Sequence, residues 1–198
     1  MREFIKRSFD LLGAIVGLAV FWWLIAICWI IASVDTQSNG MFTQKRIGRH
    51  GKPFSIYKVK TMRNPISAER SSITVAGTAE ITKSGRTMRR LKLDELPQFW
   101  NVLCGHMSFV GPRPDVAGYA DLLTGEDRII LSVRPGITGP ASLQFRNEEE
   151  LLFRQEDPIA YNQDVIWPKK VAINRVYAET YGFRGDIKYI LQTIGFKQ

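Results

Sequence analysis

LLGAIVGLAVFWWLIAICWIIASV, residues 11–34, runs for 24 residues without a charged side chain. At 1.5 Å per residue such a helix is about 36 Å long, more than the roughly 30 Å hydrocarbon core of a bilayer. A segment of that length and composition belongs in a membrane. It divides the 198 residues into an N-terminal membrane-embedded helix, residues 1–35, and a remainder, residues 36–198, large enough for one compact domain. A cleaved secretory leader is the first rival, but the run is long for one and no A-x-A site follows it.

Basic residues flank the run on both sides: Arg2, Lys6 and Arg7 before it, Lys45, Arg46, Arg49 and Lys52 after it. The positive-inside tendency draws both ends to the cytoplasm, which a helix that dips in and returns would satisfy, whereas length alone favours a span. Residues 1–63 hold ten Lys and Arg against three acids, almost all of the net charge of +8. Because that excess surrounds an apolar run, anionic lipid headgroups fit it better than nucleic acid, and no nucleic-acid partner is expected. Cys28 and Cys104 lie far apart and show no C-x-x-C spacing, which points to a reducing compartment. With His50 and His106 the only histidines, a His-based zinc site or a Ser-His-Asp triad is poorly supported, and any metal would be held by oxygen.

The remainder reads as helix-rich with minor strand. MFTQKRIGRHGKPFSIYKVKTM, residues 41–62, alternates in short apolar runs broken by Gly48, Gly51 and Pro53, the pattern of a hairpin. Residues 64–85 read as a polar surface loop, and helical signal returns at Arg86. A second helix is expected to restart at Asp94 and run to about Leu103, with Asp94 as its N-cap and Pro97 in its first turn. Further helices are expected at 116–123, 126–132, 148–155, 158–178 and 185–194, with RPGITGPA as a loop and Pro168 interrupting the longest of them.

LDELPQFWN, residues 93–101, sets Asp94 and Glu95 side by side in this basic chain. Capping is the ordinary use of an Asp at a helix start, and Glu95 would then be a first-turn acid favoured by the helix dipole. The neighbourhood points elsewhere. Arg89 and Arg90 lie just upstream, Arg113 is held between prolines in GPRP, and Arg134 precedes Pro-Gly in VRPG. Prolines restrict the backbone around such an arginine, which suits a guanidinium that must present its planar fork to phosphate. A carboxylate amid arginines has its charged form favoured, so Asp94 is expected to be ionised at neutral pH, as a nucleophile or a Mg²⁺ ligand. Lys58 and Lys60 alternate in YKVKTM, and either could meet a phosphate. Walker and G-x-G-x-x-G patterns are missing from the sequence.

LDELPQFWNVLCGHMSFVGPRPD, with FTQKRIG and KVKTM upstream and VRPGITG and DIKYI downstream, resembles the bacterial sugar transferase family over nearly the whole chain. These are monotopic phosphoglycosyl transferases that begin glycan assembly on polyprenol phosphate. The resemblance implies a mainly α fold with minor β, in which a re-entrant membrane helix joins a compact helix-rich cytoplasmic catalytic domain with interfacial amphipathic helices. It implies transfer of a sugar-1-phosphate from a UDP-sugar to undecaprenyl phosphate at the cytoplasmic face of the bacterial inner membrane, with Mg²⁺. In that scheme Asp94 is the nucleophile, forming an aspartyl phospho-sugar and releasing UMP, and Glu95 matches the second member of the Asp-Glu pair; both are candidate metal ligands, with the division of metal binding and proton handling between them left open. Lys60, Arg89, Arg113, Arg134 and Asp186 match polar positions around the family's site, although Asp186 could equally cap a helix. One departure is visible: members break the membrane helix with Ser-Pro, and here the corresponding place reads Trp22-Trp23, leaving a bend without an obvious cause. The alternative reading is a membrane-anchored scaffold of a glycan assembly complex that keeps the fold without turnover.

Overall fold

The computed structural model of the chain describes residues 2–63 and 81–195. It is mainly helical. Its first element, α1 (Arg2–Thr36), is one unbroken helix through Trp22 and Trp23. The expected re-entrant bend is therefore not seen. The physical reason is the one visible in the sequence, since residues 11–34 hold no proline to remove a backbone N–H. Thr36 ends the helix by donating its hydroxyl to the Ala32 carbonyl, and Gln37 turns out of it at φ 50°. Among the described residues α1 is the one helix long and apolar enough to cross a membrane.

The face that α1 turns toward the rest of the chain is small. Ala14, Gly17, Cys28 and Ala32 are buried there, while Leu12, Val20, Trp22, Trp23, Ile27, Ile30 and Val34 are exposed. Gly17 is needed for this approach, because a Cβ on it would stand 2.6 Å from the Phe99 ring. Two core clusters draw on α1. In one, Ala14 joins Phe54, Ile56, Val102 and Met107; in the other, Cys28 and Ala32 join Val59 and Met88.

Strands β1 (Met41–Ile47) and β2 (Pro53–Val59) form the expected antiparallel hairpin, paired from Met41–Val59 to Ile47–Pro53. Its turn uses His50 at φ 59° and Gly51 at φ 74°. The loop expected over 64–85 lies outside the described residues up to position 80. Beyond it Ile81 bridges Met62, and α2 (Lys83–Arg90) starts three residues before the expected Arg86, capped by the Thr82 hydroxyl on Gly85 N–H at 3.0 Å. Then come α3 (Gln98–Leu103) and β3 (Ser108–Val110).

RPGITGPA is not only loop. Its Gly136–Thr138 forms β4, parallel to β3, and continues into α4 (Pro140–Gln144). Three residues are too few for periodicity to betray a strand. The helix expected at 116–123 shrinks to a 3₁₀ turn at Ala120–Leu122, and that at 126–132 is 3₁₀ over Gly125–Ser132. Helices α5 (Glu148–Phe153), α6 (Pro158–Tyr161), α7 (Trp167–Thr180) and α8 (Phe183–Ile194) follow. Pro168 does not interrupt its helix as expected. It sits in the first turn of α7, where a missing N–H costs little, and a π turn at Asn162–Ile166 joins α6 to α7.

Candidate active site

Asp94 and Glu95 occupy a 3₁₀ turn, Leu93–Glu95, between α2 and α3. Lys92 precedes it in the left-handed region, φ 59° and ψ 21°, a conformation that costs a non-glycine residue about 1 kcal/mol or more and recurs at functional sites. Leu93 anchors the turn against the Cys28, Ala32, Val59 and Met88 cluster. Both carboxylates are buried, Asp94 at 8 % and Glu95 at 7 % exposure. The expectation that Asp94 caps a helix is overturned. The N-cap of α3 is Pro97, and Asp94 Oδ1 is buried without a hydrogen-bond partner. The helical path begins early, at Leu93, so the position read as a cap lies inside the turn.

Glu95 is paired twice. Its Oε1 accepts from Arg113 Nη2 at 2.9 Å and from Lys58 Nζ at 3.1 Å. Lys58 is delivered by β2, which Asn101 of α3 holds in place by accepting from Tyr57 N–H at 3.1 Å and donating to the Ser55 carbonyl at 2.7 Å. Arg113 is delivered by the GPRP segment, fixed beside β4 through Gly111 N–H to Thr138 and Gly136 N–H to Pro112. Burial opposes ionisation of Glu95, but Arg113 and Lys58 overcome it and hold the carboxyl well below the usual range. Lys58 in turn is brought down to about 8 by burial and by Arg113, against the pull of Glu95.

For Asp94 the direction is opposite to that expected from the sequence. Burial and then the neighbouring Glu95 charge raise its pKa, with Lys58, Lys92 and Arg89 opposing. Of the arginines that were to favour its charge, Arg113 is committed to Glu95, and Arg89 and Arg134 pair with Glu149 and Glu3. A raised carboxylate pKa also means a more basic oxygen once ionised, which suits a nucleophile.

The remaining expected residues scatter. Arg89 stays near, donating to Thr61 Oγ1 at 3.0 Å and reaching Glu149 at 3.1 Å. Lys60, just past the end of β2, donates to Ser38 Oγ at 2.6 Å, so Lys58 takes the place beside the carboxylates. Arg134 donates to the Gly105 carbonyl and pairs with Glu3 at 3.2 Å. Asp186 pairs with Lys6 at 2.5 Å and accepts from the Tyr177 hydroxyl at 2.8 Å. Neither Arg134 nor Asp186 is joined to Asp94 or Glu95 by a contact among the described residues.

Two features escaped the sequence reading. Gln98, one turn beyond Asp94, is 1 % exposed with no partner for Nε2. Its signal was the i, i+4 spacing from Asp94. The second is a charged cluster continuing from Arg113: Arg46, Asp115, and Lys170 paired with Glu148 at 2.6 Å. Burial pushes Asp115 up to about 6 against the pull of Lys170, Arg46 and Arg113.

Among the described residues no three acidic, His or Cys side chains gather as a metal cage. Mg²⁺ is commonly held by one or two carboxylates plus substrate phosphates. The unpartnered Oδ1 of Asp94 is a fitting donor, whereas Glu95 Oε1 is already shared by two cations.

Comparison with known proteins agrees with the site's character. A family described as "Bacterial sugar transferase" matches residues 1–197. The chain is 34 % identical over 190 residues to "Uncharacterized sugar transferase EpsL" of Bacillus subtilis, covering 96 % of this chain and 85 % of that protein. It is 30 % identical to "UDP-glucose:undecaprenyl-phosphate glucose-1-phosphate transferase" of Caulobacter vibrioides, over 96 % of this chain and 68 % of the relative. It is also 34 % identical to "UDP-N-acetylgalactosamine-undecaprenyl-phosphate N-acetylgalactosaminephosphotransferase" of Aeromonas hydrophila, over 71 % of this chain but only 34 % of that longer protein.

Proposed function

Because the chain belongs to the bacterial sugar transferase family, we propose that it transfers a sugar-1-phosphate from a UDP-sugar to undecaprenyl phosphate, at the cytoplasmic face of the bacterial inner membrane. The observation that carries this reading is the contrast within one dipeptide. Asp94 keeps a buried oxygen free, while Glu95 gathers Arg113 and Lys58 beside it. The names of the Caulobacter and Aeromonas relatives support the donor and acceptor classes.

In the first half-reaction an oxygen of the Asp94 carboxylate attacks the phosphorus that bears the sugar. The bond to the bridging oxygen breaks, UMP leaves with that electron pair, and an aspartyl phospho-sugar remains. In the second, an oxygen of undecaprenyl phosphate attacks the same phosphorus and frees Asp94, giving the lipid diphosphate sugar. Arg113 and Lys58 face this centre as fixed positive charge. Their hydrogen bonds to Glu95 pre-orient them, so that little reorganisation accompanies charge developing on the phosphate oxygens. Arg89 adds a cation on the α2 side. Mg²⁺, held by the unpartnered Asp94 carboxylate oxygen with the donor's phosphates, would supply further charge neutralisation. One covalent centre also lets a soluble donor and a lipid acceptor use the same residues in turn.

The test is UMP release from a panel of UDP-sugars by detergent-solubilised protein with Mg²⁺ and undecaprenyl phosphate. Release with one sugar, and capture of radiolabelled sugar-phosphate on wild type but not on Asp94→Asn, is expected. A folded protein that turns over no donor would favour the scaffold reading instead.

A further inference from the structure

We infer that Glu149, in the first turn of α5, stands in for a phosphate group on Arg89, so that a nucleotide phosphate displaces this carboxylate when it binds and the returning carboxylate helps to expel it. This rests on the transferase reading above and adds a residue to its site.

Two arginines beside the carboxylate pair differ in what they have free. Arg113 uses only Nη2, on Glu95; its Nε and Nη1 have no partner among the described residues, and its side chain is 44 % exposed. It can meet a phosphate without giving up a bond. Arg89 uses all three nitrogens. Nε donates to Thr61 Oγ1 at 3.0 Å, Nη2 to Met62 Sδ at 3.5 Å, and Nη1 to both oxygens of Glu149 at 3.1 and 3.3 Å. Arg89 is nevertheless close enough to Asp94 to favour its ionised form, and Asp94 is where the phosphate must arrive. Thr61 and Met62 are neutral and aim the guanidinium from the segment that follows β2. Glu149 alone among these partners is charged, and it offers Arg89 the anionic oxygens that a phosphate would offer in its place.

Exposure decides which bond yields. The Glu149 side chain is 54 % exposed, and ion pairs open to water are weak because solvent screens them. A phosphate dianion that is also met by Lys58 and Arg113 outcompetes one such carboxylate. The backbone around Glu149 stays where it is. Lys170 donates to both oxygens of Glu148 at 2.6 Å and lies over the Phe145 ring, Arg146 donates to the Gln192 carbonyl at 3.0 Å, and Leu152 is buried. The exchange is therefore a rotation of the Glu149 side chain with α5 in place. Glu150, the next residue, pairs with Arg154 and takes no part. In a reaction that uses one centre twice, UMP has to leave before a lipid phosphate can enter, and a carboxylate that reclaims Arg89 weakens the hold on the departing dianion.

The experiment titrates UMP, at fixed salt and Mg²⁺, into the detergent-solubilised full chain and measures affinity by calorimetry. Wild type is compared with Glu149→Gln, Arg89→Ala, the double variant, and Glu150→Gln as a control for net charge. Glu149→Gln should bind UMP about two- to fivefold more tightly, the range that a weak exposed ion pair allows. Arg89→Ala should weaken binding, and in that background the gain from Glu149→Gln should vanish. Glu150→Gln should bind as wild type does. Weaker binding by Glu149→Gln would overturn the proposal and make Glu149 a residue that positions Arg89. Unchanged binding would show that carboxylate and phosphate do not compete. An equal gain from Glu150→Gln, or a gain that persists without Arg89, would reduce the effect to overall charge and also overturn it. Failure of UMP to bind folded wild type would sink the transferase reading itself, and this inference with it.

Discussion

Asp94 and Asp186 are both buried carboxylates within reach of lysine, yet the structure treats them differently. Asp186 is 3 % exposed and fully occupied, with Lys6 on Oδ2 and the Tyr177 hydroxyl on Oδ1. Asp94 is 8 % exposed and leaves Oδ1 without a partner, at a turn entered through a strained Lys92. The first ties α1 to α7 and α8; it completes a structural joint. The second is a buried polar atom that folding alone does not justify, since leaving such an atom unpaired costs about 1–3 kcal/mol. Burial and charge do not distinguish a site from a strut. Between these two carboxylates, incomplete satisfaction does.

The largest expected effect follows from removing the Asp94 charge. Asp94→Asn should reduce sugar-phosphate transfer by at least about a thousandfold, since a covalent nucleophile is not replaced by its amide. Its stability should move the other way. The folded protein raises the Asp94 pKa, so the stability this group contributes is complete below the unfolded value and is lost as pH rises through the folded one. At neutral pH the amide is then neutral to stabilising, and the melting temperature in detergent should hold or rise. A variant that lost both activity and stability would return Asp94 to a structural role.

Asp186→Asn is the converse. Breaking a buried pair by removing one partner costs about 3 kcal/mol or more. Thermal unfolding followed by circular dichroism should show that loss, while turnover per folded molecule survives. If the variant instead kept its stability and lost transfer, the family-based placement of Asp186 near the phosphates would be right and the pairing with Lys6 incidental.

The pairing of Lys58 with Glu95 predicts a pH limb. Lys58 is held at about 8, so transfer should fall as pH rises through that value and the cation facing the phosphates is lost. Stability takes the opposite sign. Between about 8 and the unfolded value near 10.5 the unfolded chain binds the proton that the folded chain has given up, so this group favours folding more as pH climbs. Lys58→Arg should move the falling limb of the transfer profile to higher pH, and a limb that stays at 8 would assign it to another group.

What the sequence made legible were local or long-range-insensitive features. The membrane helix was readable because length and charge-free composition suffice, and the 41–62 hairpin because alternation and Gly-Pro punctuation are local. The dipeptide at 94–95 stood out against a basic chain. Illegible were features decided by tertiary partners. Parity put Lys58 and Lys60 on one face, but β2 ends at Val59, so only Lys58 stays in register with Glu95 while Lys60 turns to Ser38. Arg134 sits in a Pro-flanked context like that of Arg113, yet it serves Glu3 and Gly105. The Asp94 pKa came out raised because the fold buries the carboxyl and sets the Glu95 charge beside it, a degree of burial that spacing cannot reveal. Strand β4 was hidden because it is only three residues long and opens on Gly136, whose close approach to Gly111 leaves no room for a side chain, so it carries no period.

Gln98 gives the smallest effect and the finest test of the same comparison. It is 1 % exposed, and its Nε2 is unpartnered one helical turn from the unpartnered Oδ1 of Asp94. If an orphaned buried atom marks a place kept for substrate, Gln98→Met should remove an unpaired donor at nearly constant volume. Stability should then rise by up to about 1 kcal/mol, while kcat/KM for sugar-phosphate transfer falls by roughly tenfold, the worth of one hydrogen bond to a charged or polar group. A gain in stability with unchanged transfer would show that the amide is merely tolerated. The rule drawn from Asp94 and Asp186 would then hold for charges alone. A loss of stability would mean that Gln98 is held by a contact through its Oε1, and that its place beside Asp94 reflects the pitch of the helix.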